Sequence, residues 1–294
     1  PPRSTLFPYT TLFRSSYPVY DYDGYPSYYG MITESTYDLY AWEYDDADGN
    51  EWQNYKNGSF YYMDSNIGYL YANEANVTLS FNGSVLANNE DKIIDLGYTP
   101  DESSYDFNGW NLIGNPFACN AYSNKAFYRM NAAGTELEAA TGAIAPSEGL
   151  FVQATAQNQS VTFSRTAPAT APGKGNLNIA LEQKVNTRGM TGATDKAIVR
   201  FGEGDLLEKF SFREGSTKLY IPQDGTEYAV VNSEGEGSMP VNLKVAETGT
   251  YTISFNNDDV DFSYLHLIDN FSGEDIDLLI DDSYTFSASV RDRE

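Results

Sequence analysis

Histidine and cysteine occur once each in this chain, as His266 and Cys119. A lone cysteine excludes an intrachain disulfide, and one His with one Cys excludes a zinc site of His and Cys ligands within a single chain. The missing disulfide fits a cytosolic protein and a disulfide-free surface protein alike. Basic residues are scarce: 18 Lys and Arg stand against 42 Asp and Glu, giving a formal charge of −24. Such a surface repels phosphate backbones and anionic headgroups, so nucleic acid is excluded as a partner class. Long apolar runs are absent. The longest candidates, such as Ile276–Ile280, are broken by acids, and none approaches the ~20 residues of a membrane helix, so no membrane insertion is expected. Helical periodicity is nearly missing as well. Asn131–Ala140 is the best short helical candidate, and its Gly134 weakens it.

What the chain has in abundance is alternation with period two, the mark of strands with one wet face. Tyr251, Ile253 and Phe255 alternate with Thr250, Thr252 and Ser254. Val77, Leu79 and Phe81 alternate with Thr78 and Ser80, and Val161 and Phe163 flank Thr162. Tyr284, Phe286, Ala288 and Val290 alternate with Thr285, Ser287 and Ser289. Turn residues punctuate these runs at Asn82-Gly83, Asn108-Gly109, Gly114–Pro116, Asp224-Gly225 and Ser272-Gly273. With 41 % hydrophobic and 15 % aromatic residues the chain has the material for packed cores. The expected fold class is all-β: two β-sandwich domains of jelly-roll or Greek-key type.

A small, proline-containing, non-periodic stretch at residues 166–175 (TAPATAPGKG) reads as a short linker. It separates a Tyr-rich domain, residues 16–165, from a second β domain, residues 176–294. The front of the chain is of another kind. Thr5–Ser15 (TLFPYTTLFRS) equals, residue for residue, the first-frame translation of a common sequencing-adapter oligonucleotide. Residues 1–15 are therefore expected to be adapter-derived and to stand outside the fold. The chain reads as a fragment, with no initiator Met at its start and its last strand stopping at Val290.

Two sets of motifs carry a likeness. One is Gly68–Asn73 (GYLYAN), Gly109–Phe117 (GWNLIGNPF) and Ala145–Gln153 (APSEGLFVQ); the other is Tyr264–Asn270 (YLHLIDN), Asp275–Leu279 (DIDLL) and Ser283–Phe286 (SYTF). Together they resemble the C-terminal β-sandwich region of large secreted and surface proteins of gut Bacteroidota, modules that sit before a type IX secretion sorting domain. The resemblance covers most of residues 60–294. It implies an extracellular or outer-membrane surface address and a sandwich architecture, and supplies no catalytic residues. The sorting domain, and a strand expected after Val290, are missing from this sequence.

Each chemically suggestive cluster also has a plain structural reading. In GWNLIGNPF, Trp110 and Leu112 share one face of a strand, Gly114 and Asn115 permit a turn, Pro116 ends ladder pairing, and Phe117 returns to the core. His266 sits between Leu265 and Leu267 on a strand, the setting of a packed or rim histidine. Cys119 has no basic neighbour closer in sequence than Lys125, so it reads as a free structural thiol. Asp45–Glu51 (DDADGNE) is rich in oxygen ligands, yet Tyr44 stands where a calcium loop needs its first Asp, which favours a solvated hairpin turn. Asn256–Asp261 is a weaker case of the same kind. Gly202–Asp205 (GEGD) lacks the Lys-Ser/Thr of a phosphate loop.

The Tyr-rich run Tyr17–Tyr29, with Tyr37, Tyr40, Trp42 and Tyr44, offers aromatic faces beside carboxylates. That combination suits sugars, whose C–H faces stack while their hydroxyls find acceptors. The alternative is aromatic rings packed inward with hydroxyls at the rim. No catalytic, cofactor-binding or metal-ligating set is assigned. The expected function is a non-catalytic structural or adhesive β module. The alternatives are a carbohydrate-binding module using the Tyr cluster, with a glycan or surface polysaccharide as partner, and the accessory region of an extracellular hydrolase whose catalytic domain lies upstream.

Overall fold

The computed structural model describes residues 10–13, 37–45, 51–57, 60, 67–73, 90–100, 107–131, 134, 136–168, 174–185, 194–211 and 215–290. Among these the fold is all-β, with one short 3-10 turn at Tyr55–Asn57. The chain divides into two compact units between Pro168 and Ala169. That point lies inside 166–175, of which residues 169–173 are outside the described set.

In the first unit the strands are β1 (Thr10–Phe13), β2 (Tyr37–Trp42), β3 (Trp52–Asn54), β4 (Tyr69–Asn73), β5 (Lys92–Asp95) and β6 (Trp110–Gly114). They continue with β7 (Ala121–Ser123), β8 (Phe127–Met130), β9 (Leu137–Ala140), β10 (Ala143–Ile144), β11 (Gly149–Gln153) and β12 (Ser160–Ser164). Three four-stranded sheets result, ordered β1-β4-β2-β3, β10-β7-β12-β5 and β6-β11-β8-β9. The last of these is the middle layer. On one side Ile113, Phe127, Leu150 and Val152 pack into a core with Ile94, Ile144, Val161 and Phe163 of the β10-β7-β12-β5 sheet. On the other side Phe151 meets the Trp42 ring edge-on at 5.1 Å and the Trp52 ring at 5.9 Å. Trp42 also donates its indole N–H to Trp110 O, 2.8 Å away.

Sequence alternation predicts strands with one wet face, and β12 keeps it, with Val161 and Phe163 buried between half-buried Ser160, Thr162 and Ser164. β11 does not: all five residues Gly149–Gln153 are buried. It lies at the centre of a layer covered on both faces, so no position along it is free for a wet side chain. The sandwich-like unit thus gains a third layer.

Two further expectations are corrected. The helical candidate Asn131–Ala140 ends in strand β9, paired antiparallel with β8 from Phe127↔Ala140 to Met130↔Leu137. Cross-strand pairing outweighs a weak local propensity here. Residues 1–15 were expected outside the fold, yet Thr10–Phe13 forms a strand paired antiparallel with β4, from Thr10↔Ala72 to Phe13↔Tyr69. The segment TTLF is β-branched and aromatic, which suits a pleated ladder whatever its origin. The Val77–Phe81 alternation and the Asn82-Gly83 turn lie outside the described residues.

The second unit contains β13 (Asn176–Lys184), β14 (Thr194–Arg200), β15 (Leu207–Glu208), β16 (Lys218–Gln223) and β17 (Thr226–Asn232). It ends with β18 (Asn242–Lys244), β19 (Gly249–Asp258), β20 (His266–Ile268), β21 (Asp275–Asp277) and β22 (Ser283–Ala288). One large sheet runs β18-β16-β17-β14-β13-β19-β22, with β15 also paired to β17. Its apolar face carries Ile179, Leu181, Val199, Ile221, Tyr251 and Ile253. Met239, Val241, Phe262, Leu265 and Leu267 pack against that face. The Asp224-Gly225 turn has φ of 50° and 85° and joins β16 to β17 in two residues, the geometry that twisted hairpins favour. β20 and β21 form a separate two-stranded hairpin.

At Gly109, φ is 82° and an added Cβ would collide with the Ala154 carbonyl oxygen, because the two backbones run in close contact there, with Ala154 N–H donating to Gly109 O at 2.7 Å. Gly109→Ala is expected to destabilise the first unit by more than ~1 kcal/mol, from φ strain and the clash together. Thermal unfolding followed by near-UV circular dichroism, where the tryptophans report, should show a lowered transition.

Candidate functional site

Among the described residues of the first unit, the amide side chains of Asn111 and Asn115 hold its corners. Asn115 is buried and donates from Nδ2 to Cys119 O (2.9 Å), Ile144 O (3.0 Å) and Ala145 O (3.0 Å), while its Oδ1 accepts from Phe117 N (2.9 Å). The corner predicted from GWNLIGNPF is present, with Trp110, Leu112 and Phe117 all buried. Sequence reading missed that the Asn115 amide ties the corner together. An Asn before Pro in an apolar stretch is the only signal for it. Asn111 works alike one strand residue after Trp110: Nδ2 donates to Gly97 O and Gly109 O, and Oδ1 accepts from Gly97 N.

Of the Tyr-rich cluster, Tyr40, Trp42 and Tyr44 pack against neighbouring groups, Trp42 buried and the two tyrosines half-buried. Trp42 is buried, and its ring meets Trp52 at 4.9 Å and Phe107 at 5.4 Å. Tyr40 meets Trp52 edge-on at 6.2 Å, and the Tyr44 ring lies where a Cβ on Gly97 would need to be. Burial, and then the neighbouring Asp38 charge, raise the Tyr40 hydroxyl above its ordinary pKa. Tyr17–Tyr29 and most of the acidic turn after Asp45 lie outside the described residues. Cys119 is free and exposed. In Asn256–Asp261, Asp259 has φ of 55° and Asn257 Nδ2 donates to Val260 O at 2.8 Å, so the Asn257 side chain closes that turn on its own backbone. Among the described residues no group of three or more His, Cys, Asp or Glu is placed to hold a metal ion. No described helix is long and apolar enough to cross a membrane. In Gly202–Asp205, the Arg200 guanidinium donates to Asp205 O at 3.3 Å.

His266 sits elsewhere, on the β20–β21 hairpin. Register pairs His266 with Asp277 and Ile268 with Asp275, and Leu278 N–H donates to Leu265 O at 2.9 Å just beyond the paired segment. Alternation sends Leu265 and Leu267 toward the core of the unit. It sends Tyr264, His266 and Ile268 to the outer face, with Asp275, Asp277 and Leu279 beside them on the second strand. Tyr264 stacks on the imidazole with ring centroids 4.2 Å apart and planes 16° from parallel, and still leaves 71 % of itself exposed. His266 Nδ1 lies 2.7 Å from Asp275 Oδ1, and Nε2 lies 4.0 Å from Asp277 Oδ1. The imidazole is therefore held between two carboxylates and under an aromatic ring, with no hydroxyl or thiol nucleophile among the described residues bonded to it.

The hairpin tip is fixed by Asp269. Its Oδ1 accepts from Phe271 N (2.8 Å), and its Oδ2 from Ser272 Oγ (2.8 Å) and Tyr284 Oη (2.9 Å). Burial opposes the Asp269 charge, but the hydrogen bonds from Ser272, Phe271 and Tyr284 together hold its carboxyl below the ordinary value. Phe271, at the tip, is 90 % exposed, and Ile280 is exposed after the second strand. The site is thus a rigid outward ladder of one aromatic ring, one imidazole and two carboxylates, bordered by exposed apolar side chains.

No protein-family model, no curated protein and no solved structure matches the chain.

Because the folded Asp269 pKa is lowered, its stabilising contribution is fully present above the unfolded value. It is lost as pH falls through the folded one. Amide exchange at Phe271 and Ser272 should lose protection below pH ~4, and an Asp269→Asn chain should lack that pH step.

Proposed function

We propose that this chain is a non-catalytic structural and adhesive β module of a secreted or cell-surface protein, and that it contacts its partner through the outer face of the β20–β21 hairpin. The observation that carries the reading is the exposed Tyr264 ring stacked on His266 beside Asp275 and Asp277. An aromatic face with flanking acceptors matches a sugar ring, which offers a C–H face to stack and hydroxyls to donate. Nucleic acid and anionic lipid fit poorly against a chain of net charge −24. The likeness to surface modules of gut Bacteroidota supports the extracellular address.

The glycan partner expected for the N-terminal Tyr cluster is thereby assigned to the second unit. The described members of that cluster, Tyr40, Trp42 and Tyr44, are engaged with Trp52, Phe107, Phe151 and Gly97. The hairpin face has the same chemistry with its ring open to solvent.

A glycan array probed with the full chain, followed by titration calorimetry on the best polysaccharide, tests this reading. Tyr264→Ala is expected to weaken binding about tenfold, equivalent to ~1.4 kcal/mol, and Asp277→Asn to weaken it less. Binding unchanged in Tyr264→Ala, or hydrolytic turnover abolished by His266→Ala, would remove the proposal.

A further inference from the structure

Lys209 and Asp195 form the most enclosed charged pair among the described ion pairs. Their side chains are 2 % and 8 % exposed, and Lys209 Nζ lies 2.6 Å from Asp195 Oδ2. Both carboxyl oxygens also accept backbone N–H groups, Oδ2 from Leu219 (2.7 Å) and Oδ1 from Lys196 (2.8 Å). Lys209 Nζ donates in addition to Lys196 O at 3.0 Å, and Lys209 N–H donates to Glu227 O at 2.7 Å. The nearby acid Glu227 is engaged with Lys244 and, at 3.9 Å, with Lys218. Asp195 is therefore the partner of Lys209.

The sheet fixes these positions. Asp195 is in β14, Lys209 directly follows β15, and both strands pair with β17. Both side chains are nearly closed off from solvent, so the pair is held in contact. A nitrogen in hydrogen bond with Oδ2 is one C–O bond from Cγ, which brings it within the ~3–3.5 Å reach of a near-attack arrangement.

We propose that Lys209 and Asp195 condense into an intramolecular amide bond, Nζ to Cγ, which staples β14 to the segment after β15. Burial lowers the Lys209 pKa and favours the uncharged amine that attacks. Transfer of one ammonium proton to the carboxylate gives a neutral amine and a neutral acid. The Nζ lone pair then attacks Cγ, and the N–Cγ bond forms. The developing oxyanion lies where a backbone N–H already points, as in other acyl-transfer sites. A second proton passes from nitrogen to the departing hydroxyl, the C–O bond breaks, and one water leaves. No oxidant, reductant or activating group is required. The driving physics is the removal of two buried charges: an ion pair that is costly to desolvate becomes a neutral amide in a site closed to the water that would reverse it. The bond is internal to the second unit and does not rest on the reading of the hairpin face.

Intact-mass spectrometry of the purified full chain under denaturing conditions tests the proposal. The expected mass is one water below the sequence mass, and proteolysis should release a branched peptide joining the Asp195 and Lys209 segments. Lys209→Arg keeps the charge and removes the nucleophile, and should restore the full sequence mass. A wild-type chain at full mass, with Asp195 and Lys209 in separate linear peptides, would overturn the proposal and leave the pair ionic. So would a loss of water that persists in Lys209→Arg. The wild-type measurement decides the matter even if the variant does not fold.

Discussion

A sheet covered on both faces must find a partner for every backbone group it carries out of water. That constraint governs the first unit. Buried, unpaired amides each cost on the order of 1–3 kcal/mol, and β11 is buried along its whole length. β11 meets the demand through its ladders to β6 and β8. Where a ladder ends, side-chain amides take over: Asn111 completes the edge at Gly97 and Gly109, and Asn115 collects three carbonyls at the next corner. The indole N–H of Trp42 serves the same purpose from the outer layer, meeting Trp110 O across the interface. Polarity in this unit is structural material.

The second unit solves a different problem. Its large sheet buries one apolar face under loops and under the β20–β21 hairpin, whose inner residues Leu265 and Leu267 join that core. Having given its inner face to the core, the hairpin is free to present the outer one. Asp269 and Tyr284 anchor its tip to β22, so the outward ladder is held rigid. Preorganised aromatic and carboxylate groups lose little freedom on contact with a ligand, which favours recognition over floppy display.

Much of this was legible in the sequence wherever a strand has one face on a core. The alternations at Tyr251–Phe255 and at Tyr284–Ala288 became β19 and β22, and Val161 and Phe163 became the buried side of β12. The Asp-Gly turn at 224–225 also read correctly, because left-handed φ is a local demand with a local residue signature. What stayed hidden is non-local. The third layer depends on aromatics from separated segments meeting over Phe151. The Asn131–Ala140 candidate became a strand because a partner was waiting at β8. His266 could be read as a rim residue, but its placement between Asp275 and Asp277 requires the hairpin register. Asp195 and Lys209 meet only because β14 and β15 share β17 as a neighbour, which no spacing along the chain announces.

The long ladder between β13 and β19 pairs Asn176 with Asp258 and Lys184 with Thr250. These partners are far apart in sequence, so during synthesis the second unit stays open until β19 has left the ribosome. Pairs nearer in sequence, β13 with β14 and β16 with β17, can form before it, while the β13 edge that takes β19 waits open. Closure of so large a loop is slow compared with local hairpins. Completion of the large sheet is thus a late event in synthesis, and until then the β13 edge carries unpaired backbone groups open to other strands.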